Sequence, residues 1–155
     1  MVIKQITKKE ILPIIELSRV IFSEYSSEED KYHEVEKWKN NLEKDGLILA
    51  AFKKGDPIGY IFAYNKNPDD NAIHIWLSGV KKKYRKKGVF TELYSEFLDE
   101  IKNQNYQGIT INTYKEKFPE MFEFLTSKGF SIYKTKDECS EDKKIEKSYF
   151  RKEIN

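Results

Sequence analysis

The chain has 155 residues, 39% hydrophobic and 14% aromatic, with 35% charged residues of both signs interspersed; this suits one packed domain over residues 1–155 and argues against global disorder. Of the 28 Lys and Arg residues, six lie within Lys81–Lys87, leaving 22 against 26 acidic residues elsewhere, so the positive charge is local, unlike the extended basic face of a protein that coats nucleic acid. A single cysteine, Cys139, excludes an internal disulfide and a cysteine metal cluster, and with no signal-peptide core and no run of ~20 apolar residues a cytoplasmic protein is expected.

In chain order, "VIKQI" is a short opening strand. Apolar residues then recur at helical spacing at Ile11, Ile14, Ile15, Leu17, Ile21 and Phe22. Thr7 and Glu10 can form a capping box, and Pro13 predicts that the regular helix begins, or kinks, near Leu12. A second helix follows over "SSEEDKYHEVEKWKNNLEKDG", with Ser27 and Asp30 at its start, Val35, Trp38 and Leu42 on one stripe, and Gly46 at its end. "LILAAFKKGDPIGYIFAYN" reads as a hairpin around Lys54-Gly55-Asp56-Pro57. After the turn "NPDDN" comes the strand "AIHIWLSGV", with Ile73, Ile75 and Leu77 on one side and His74, Trp76 and Ser78 on the other. Gly79 near its end marks a bulge or a close backbone approach.

The basic stretch "KKKYRKKG" follows directly, and Val89, Phe90, Leu93, Phe97, Leu98 and Ile101 then trace an amphipathic helix beginning near Gly88. "YQGITIN" is a strand, "EKFPEMFEFLTSK" a helix opened by Pro119, and "GFSIYKTK" and "KSYFRKEI" a final pair of strands. The order β-α-α-β-β-β-α-β-α-β-β is that of a mixed α/β layer, with a parallel pair where strand, helix and strand succeed one another. A strand leading through a glycine-containing loop into a helix presents unpaired N–H groups and the positive helix end to an anion. Gly88 allows positive φ and close approach of a phosphate. A Lys-rich octamer is also commonly a solvated charge run, so its position between strand and helix is what points to phosphate binding.

At "GVKKKYRKKGVFTEL" the sequence resembles the coenzyme A signature of the GNAT superfamily of N-acetyltransferases, Arg/Gln-x-x-Gly-x-Gly/Ala, with Arg85 and Gly88 matching and Phe90 where Gly or Ala is usual. "TSKGF", Thr126 to Phe130, resembles the end of that family's last helix, and the element order agrees from "VIKQI" to "YFRKEI". The resemblance implies a central mixed sheet of about seven strands with four helices. It implies that the amides of Arg85, Lys86, Lys87, Gly88, Val89 and Phe90, with Thr91, cradle the pyrophosphate of acetyl-CoA. Ser78, Gly79 and Val80, on a splayed strand, would pair with the pantetheine arm, and a backbone N–H near Val80 would polarise the thioester carbonyl. Phe90 fits best as a core residue of its helix.

Acetyl transfer needs a neutral amine, hence a base or a water that a base positions. His74, six residues before Val80, stands in a register resembling the family's base position, though a lone strand histidine is more often a packed or hydrogen-bonded structural residue. The family's usual acid, a tyrosine, is replaced by Leu125, and Phe118 replaces an asparagine common at the start of that helix. Tyr114 is the candidate acid, and Asn112 a candidate contact to the cofactor arm or substrate. Glu24 and Tyr25 in the acidic "SEYSSEED", together with Trp76, are candidate acceptor-binding residues; helix-capping acids and a packed tryptophan are the plainer alternatives.

The expected activity is direct acetyl transfer from acetyl-CoA to an amine: a small amine, an antibiotic, a peptide N-terminus or a lysine. No metal and no membrane partner are expected, and a homodimer is left open. Two rival readings remain: a non-catalytic acyl-CoA-binding regulatory module of the same fold, and nucleic-acid binding through Lys81–Lys87, which the local confinement of the charge disfavours.

Overall fold

The computed structural model describes residues 1–23, 31–140 and 142–154. Strands β1 (Val2–Gln5), β2 (Leu47–Lys53), β3 (Asp56–Tyr64), β4 (Ala72–Val80), β5 (Gly108–Tyr114), β6 (Ser131–Ser140) and β7 (Lys143–Glu153) alternate with helices α1 (Ile11–Ile21), α2 (Lys31–Leu42), α3 (Val89–Ile101) and α4 (Pro119–Ser127) in the order read from the sequence. The strands hydrogen-bond in the order β1-β2-β3-β4-β5-β7-β6. β4 and β5 are parallel, because α3 carries the chain back between them, while β1/β2, β2/β3, β5/β7 and β6/β7 are antiparallel. No helix among the described residues is long and apolar enough to cross a membrane.

The chain divides into two compact units, Met1–Lys66 with Trp76–Gln104, and Asn67–Ile75 with Asn105–Asn155. In the first, the capping box forms: Glu10 Oε1 accepts from the Thr7 N–H (3.1 Å) and the Thr7 hydroxyl (2.8 Å) and closes a 3-10 turn over Lys8–Glu10. The α-helix starts at Ile11, so Pro13 falls in its first turn, where a missing N–H costs no ladder bond. The Ser27–Asp30 start expected for α2 lies outside the described residues. Ile14, Ile15 and Leu17 of α1 and Trp38 of α2 pack on Ile48, Ala50, Tyr60 and Phe62. On the fully buried strand run Leu47–Ala51 the strict alternation of a one-sided sheet is absent, since α3 packs on β2 and β3 as well. Lys54 and Gly55 at the hairpin tip both take positive φ, 52° and 83°, the conformation that lets a two-residue turn follow the strand twist.

In the second unit, β4 pairs with β5 from Ala72↔Gly108 to Ile75↔Ile111, and β7 lies between β5 and β6. Alternation is clean on β5: Ile109, Ile111 and Thr113 are buried while Thr110, Asn112 and Tyr114 are half-buried. α4 lies on the apolar face, where the Phe122 ring meets Phe150 edge-on at 5.2 Å and Leu125 is buried. Past α4 the Phe130 N–H donates to the Leu125 carbonyl at 3.0 Å, with Gly129 in the left-handed conformation at φ 87°, a common helix stop.

Candidate active site

The basic stretch begins where the Lys81 N–H donates to the Ile58 carbonyl (2.8 Å), tying the end of β4 to β3. A 3-10 turn over Lys82–Tyr84 follows, and the Arg85 Nε–H reaches back to the Val80 carbonyl at 3.0 Å. The half-buried Tyr84 ring has the Lys53 and Lys83 ammonium groups 5.5 and 5.6 Å from its centre, which pins the turn. Lys86 (φ 61°) and Gly88 (φ 82°) then adopt left-handed backbone. Gly88 is the N-cap of α3 at ψ 4°. A left-handed residue followed directly by a right-handed helix turns consecutive N–H groups toward one point, a concavity suited to an anion. The first ladder bond of α3 runs from the Glu92 N–H to the Gly88 carbonyl (3.0 Å), so the helix ladder does not consume the amides of the turn before it.

Lys82, Lys83, Arg85, Lys86 and Lys87 are all exposed, and no acid occurs between Lys81 and Thr91. An added Cβ on Gly88 would meet nothing within 4 Å, so the glycine answers to backbone conformation and open approach rather than to packing. Thr91 is exposed and Phe90 half-buried, beside the buried helix residues Val89, Leu93 and Tyr94; burial pushes the Tyr94 phenol up to about 12. Ser78 and Gly79 are half-buried and Val80 is buried. Gly79 is a close approach: an added Cβ would stand 2.9 Å from Ile21 Cγ2. Trp76 is half-buried in an aromatic cluster, edge-on to Trp38, Phe62 and Tyr64 at 6.0, 5.2 and 6.0 Å.

The other candidates lie in the second unit, on one sheet face. His74 is buried, with Nδ1 2.8 Å from the Thr110 hydroxyl. Asn112 is half-buried opposite Tyr149. The Tyr114 phenol donates to Glu138 Oε2 at 2.7 Å; burial and the Glu138 charge hold it far above the usual tyrosine range. In return the Tyr114 bond, aided by Lys147 and Lys136, keeps the Glu138 carboxyl below the usual carboxylate range. Leu125, where the resemblance expects a tyrosine, is a core side chain at 2% exposure. Glu24 and Tyr25 lie outside the described residues. Among the described residues no group of three or more His, Cys, Asp or Glu could hold a metal ion.

The structure thus brings Val80 to Thr91 into one continuous turn, and His74, Asn112 and Tyr114 onto one face. Sequence reasoning missed Thr110 and Glu138, the partners of His74 and Tyr114. The alternation in "SIYKTKDE" assigns Glu138 to a strand face, but nothing local says that the face adjoins Tyr114.

The acetyltransferase (GNAT) family model matches residues 11–130. The chain belongs to that family. Its fold is shared with solved GNAT structures at low identity. A ribosomal-protein-alanine N-acetyltransferase from Brucella melitensis superposes at TM-score 0.82 with 14% identity, over 99% of this chain and 100% of that one. A GNAT superfamily phosphinothricin acetyltransferase from Sinorhizobium meliloti, solved in complex with acetyl-CoA, gives 0.80 and 10%, over 99% and 88%. An IAA acetyltransferase from Bacillus cereus gives 0.73 and 16%, over 99% of each chain. A search of curated proteins gives no significant match. Membership places this GNAT chain among acyltransferases, and the neighbours agree with the mixed α/β architecture of seven strands and four helices.

Proposed function

We propose that this GNAT protein transfers the acetyl group of acetyl-CoA directly to an amine acceptor. The observation that carries the proposal is the left-handed Gly88 capping α3 immediately after six cationic residues, an amide concavity with surrounding positive charge. Acetyl-CoA supplies an activated thioester: the amine nitrogen bonds to the acyl carbon, the carbon–sulfur bond breaks, and the amine proton must leave. The loop amides from Arg85 to Phe90, with Thr91, would hold the diphosphate, and Ser78 to Val80 and Asn112 the arm leading to the thioester. His74, its ring fixed by Thr110, is the proposed base or water-orienting group, and Tyr114 the proposed donor to the leaving sulfur once it releases Glu138. Trp76, Glu24 and Tyr25 are the proposed acceptor contacts.

A second reading, an acyl-CoA-binding module without catalysis, draws on two observations. Leu125 is a packed core residue where the resemblance expects a tyrosine, and the Tyr114 hydrogen is engaged by Glu138. Incubating the protein with acetyl-CoA and a panel of amines, while monitoring free thiol, separates the two. Thiol release that depends on an amine supports the enzyme. Calorimetric binding of CoA with no thiol release from any amine supports the module, and no heat with CoA at millimolar excess refutes both.

A further inference from the structure

The face that carries His74, Asn112 and Tyr114 continues onto the last two strands. Thr110, Asn112 and Tyr114 of β5 stand opposite Arg151, Tyr149 and Lys147 of β7, and β6 sets Lys134 opposite Tyr149 and Lys136 opposite Lys147. Directly opposed residues of antiparallel strands share a face. The Lys134 and Lys147 ammonium groups stand 5.0 and 5.4 Å from the centre of the Tyr149 ring, and Lys147 is 6.0 Å from the Tyr114 ring as well. Among the described residues one carboxylate, Glu138, sits with them, 3.7 Å from Lys147.

Among the described residues, three ammonium groups against one carboxylate leave this face positive. Arg151 and Lys143, by contrast, each have a carboxylate of their own, Glu153 and Glu116. Lys136 directly across from Lys147 is a like-charge pairing that costs a sheet stability, and the core gains nothing from it, since Lys136 is exposed. A cost of this kind is offset when a ligand supplies the missing negative charge.

We infer that this face binds an oxyanion, carboxylate or phosphate, carried by the acceptor amine. The inference rests on the acetyl-transfer reading and narrows its acceptor. Tyr149 forms the floor, Lys134, Lys136 and Lys147 supply the charge, and Glu138 steadies Lys147. The sheet also sets the length of the acceptor. Tyr149 lies two strands and one same-face step from His74, about 12 Å between Cα atoms at ordinary strand spacings. An α-amino acid, with adjacent amine and carboxylate, is too short to reach both. An ω-amino acid or a peptide with an acidic side chain beyond its N-terminus spans the gap.

The test is to titrate the full chain with glutarate and, separately, inorganic phosphate, with and without saturating CoA, following the NMR signals of Lys134, Lys147 and Tyr149. Saturable shifts at these residues in both cofactor states are expected. The apparent affinity should fall about threefold or more in Lys134→Gln and in Lys147→Met, the scale of one partly solvated charge partner. Lys136→Gln should bind the anion more weakly yet melt at a higher temperature, a combination that a purely structural lysine would not produce. In acetylation assays ω-amino acids should outpace their amides, with the preference reduced in the same variants. Stronger shifts with glutarate identify a carboxylate acceptor, and stronger shifts with phosphate a phosphorylated one. No saturable shift overturns the inference. So do shifts abolished by CoA, which would assign the site to the cofactor's own phosphate, and so does a single-stranded oligonucleotide that occupies these residues with steep salt dependence. Shifts that persist in a protein acetylating no amine would uphold the oxyanion site and overturn the acetyl-transfer reading alone.

Discussion

Replacing Gly88 by alanine separates what this residue does for folding from what it does for the ligand. Its φ of 82° lies in the left-handed region, which costs an L-residue roughly 1–2 kcal/mol, and the reduced freedom of the unfolded alanine chain returns about 0.4–1 kcal/mol. No steric penalty adds to this, because a Cβ there meets nothing within 4 Å. The net loss is therefore about 1 kcal/mol, a fall of roughly 2–4 °C in melting temperature for a domain of this size. The ligand should feel far more. A methyl group at the mouth of the amide concavity, or a shift of the turn toward ordinary φ, removes one or more hydrogen bonds to a charged group, each worth about 1.5–3 kcal/mol, so CoA affinity should fall about 10- to 100-fold. Gly129→Ala is the matched control: φ is 87° and the nearest neighbour of an added Cβ is Lys152 Cε at 3.9 Å, so it carries the same backbone cost without the loop. Calorimetry with CoA and thermal melts on both variants complete the comparison. If Gly88→Ala binds CoA as tightly as the parent while losing the expected stability, the turn does not hold the diphosphate.

His74→Ala should leave CoA affinity unchanged and slow acetyl transfer about 100-fold or more, the usual contribution of a general base; a kcat within twofold of the parent would make His74 a packing residue only. Trp38→Ala removes a side chain exposed by only 1% that packs on Tyr60 and Phe62 at ring separations of 5.8 and 5.0 Å. It should cost about 3–5 kcal/mol in chemical denaturation, and Trp38→Phe markedly less. Alkali should destabilise the fold, because burial holds the Tyr60 and Tyr94 phenols above their ordinary range, Tyr94 at about 12. From about pH 10 upward the unfolded chain releases these protons while the folded chain keeps them, so stability falls as pH rises. Tyr60→Phe should remove about 1.4 kcal/mol of that fall by pH 11, measured by denaturant midpoints between pH 8 and 11, and an unchanged fall would refute the assignment.

The order of the eleven strands and helices among the described residues, the Thr7–Glu10 capping box, the turn at Lys54-Gly55 and the loop from Lys81 to Gly88 could be read along the chain. Each depends on residues within a few positions of one another: apolar period, cap chemistry, turn glycine, run of charge. The tertiary structure decided what depends on partners far apart in sequence. That β7 inserts between β5 and β6 follows from competition among strand edges, which no local pattern encodes. Burial of His74 against Thr110, 36 residues on, and engagement of Tyr114 by Glu138, 24 residues on, follow from that strand order. So does the gathering of Lys134, Lys136 and Lys147 around Tyr149. The proposed phosphate loop was legible because its chemistry is backbone chemistry carried by one short stretch. His74, Asn112 and Tyr114 could be named as candidates, but their partners Thr110 and Glu138 and the lysines around Tyr149 could not, because side chains from four strands share a face only after the sheet has chosen its neighbours.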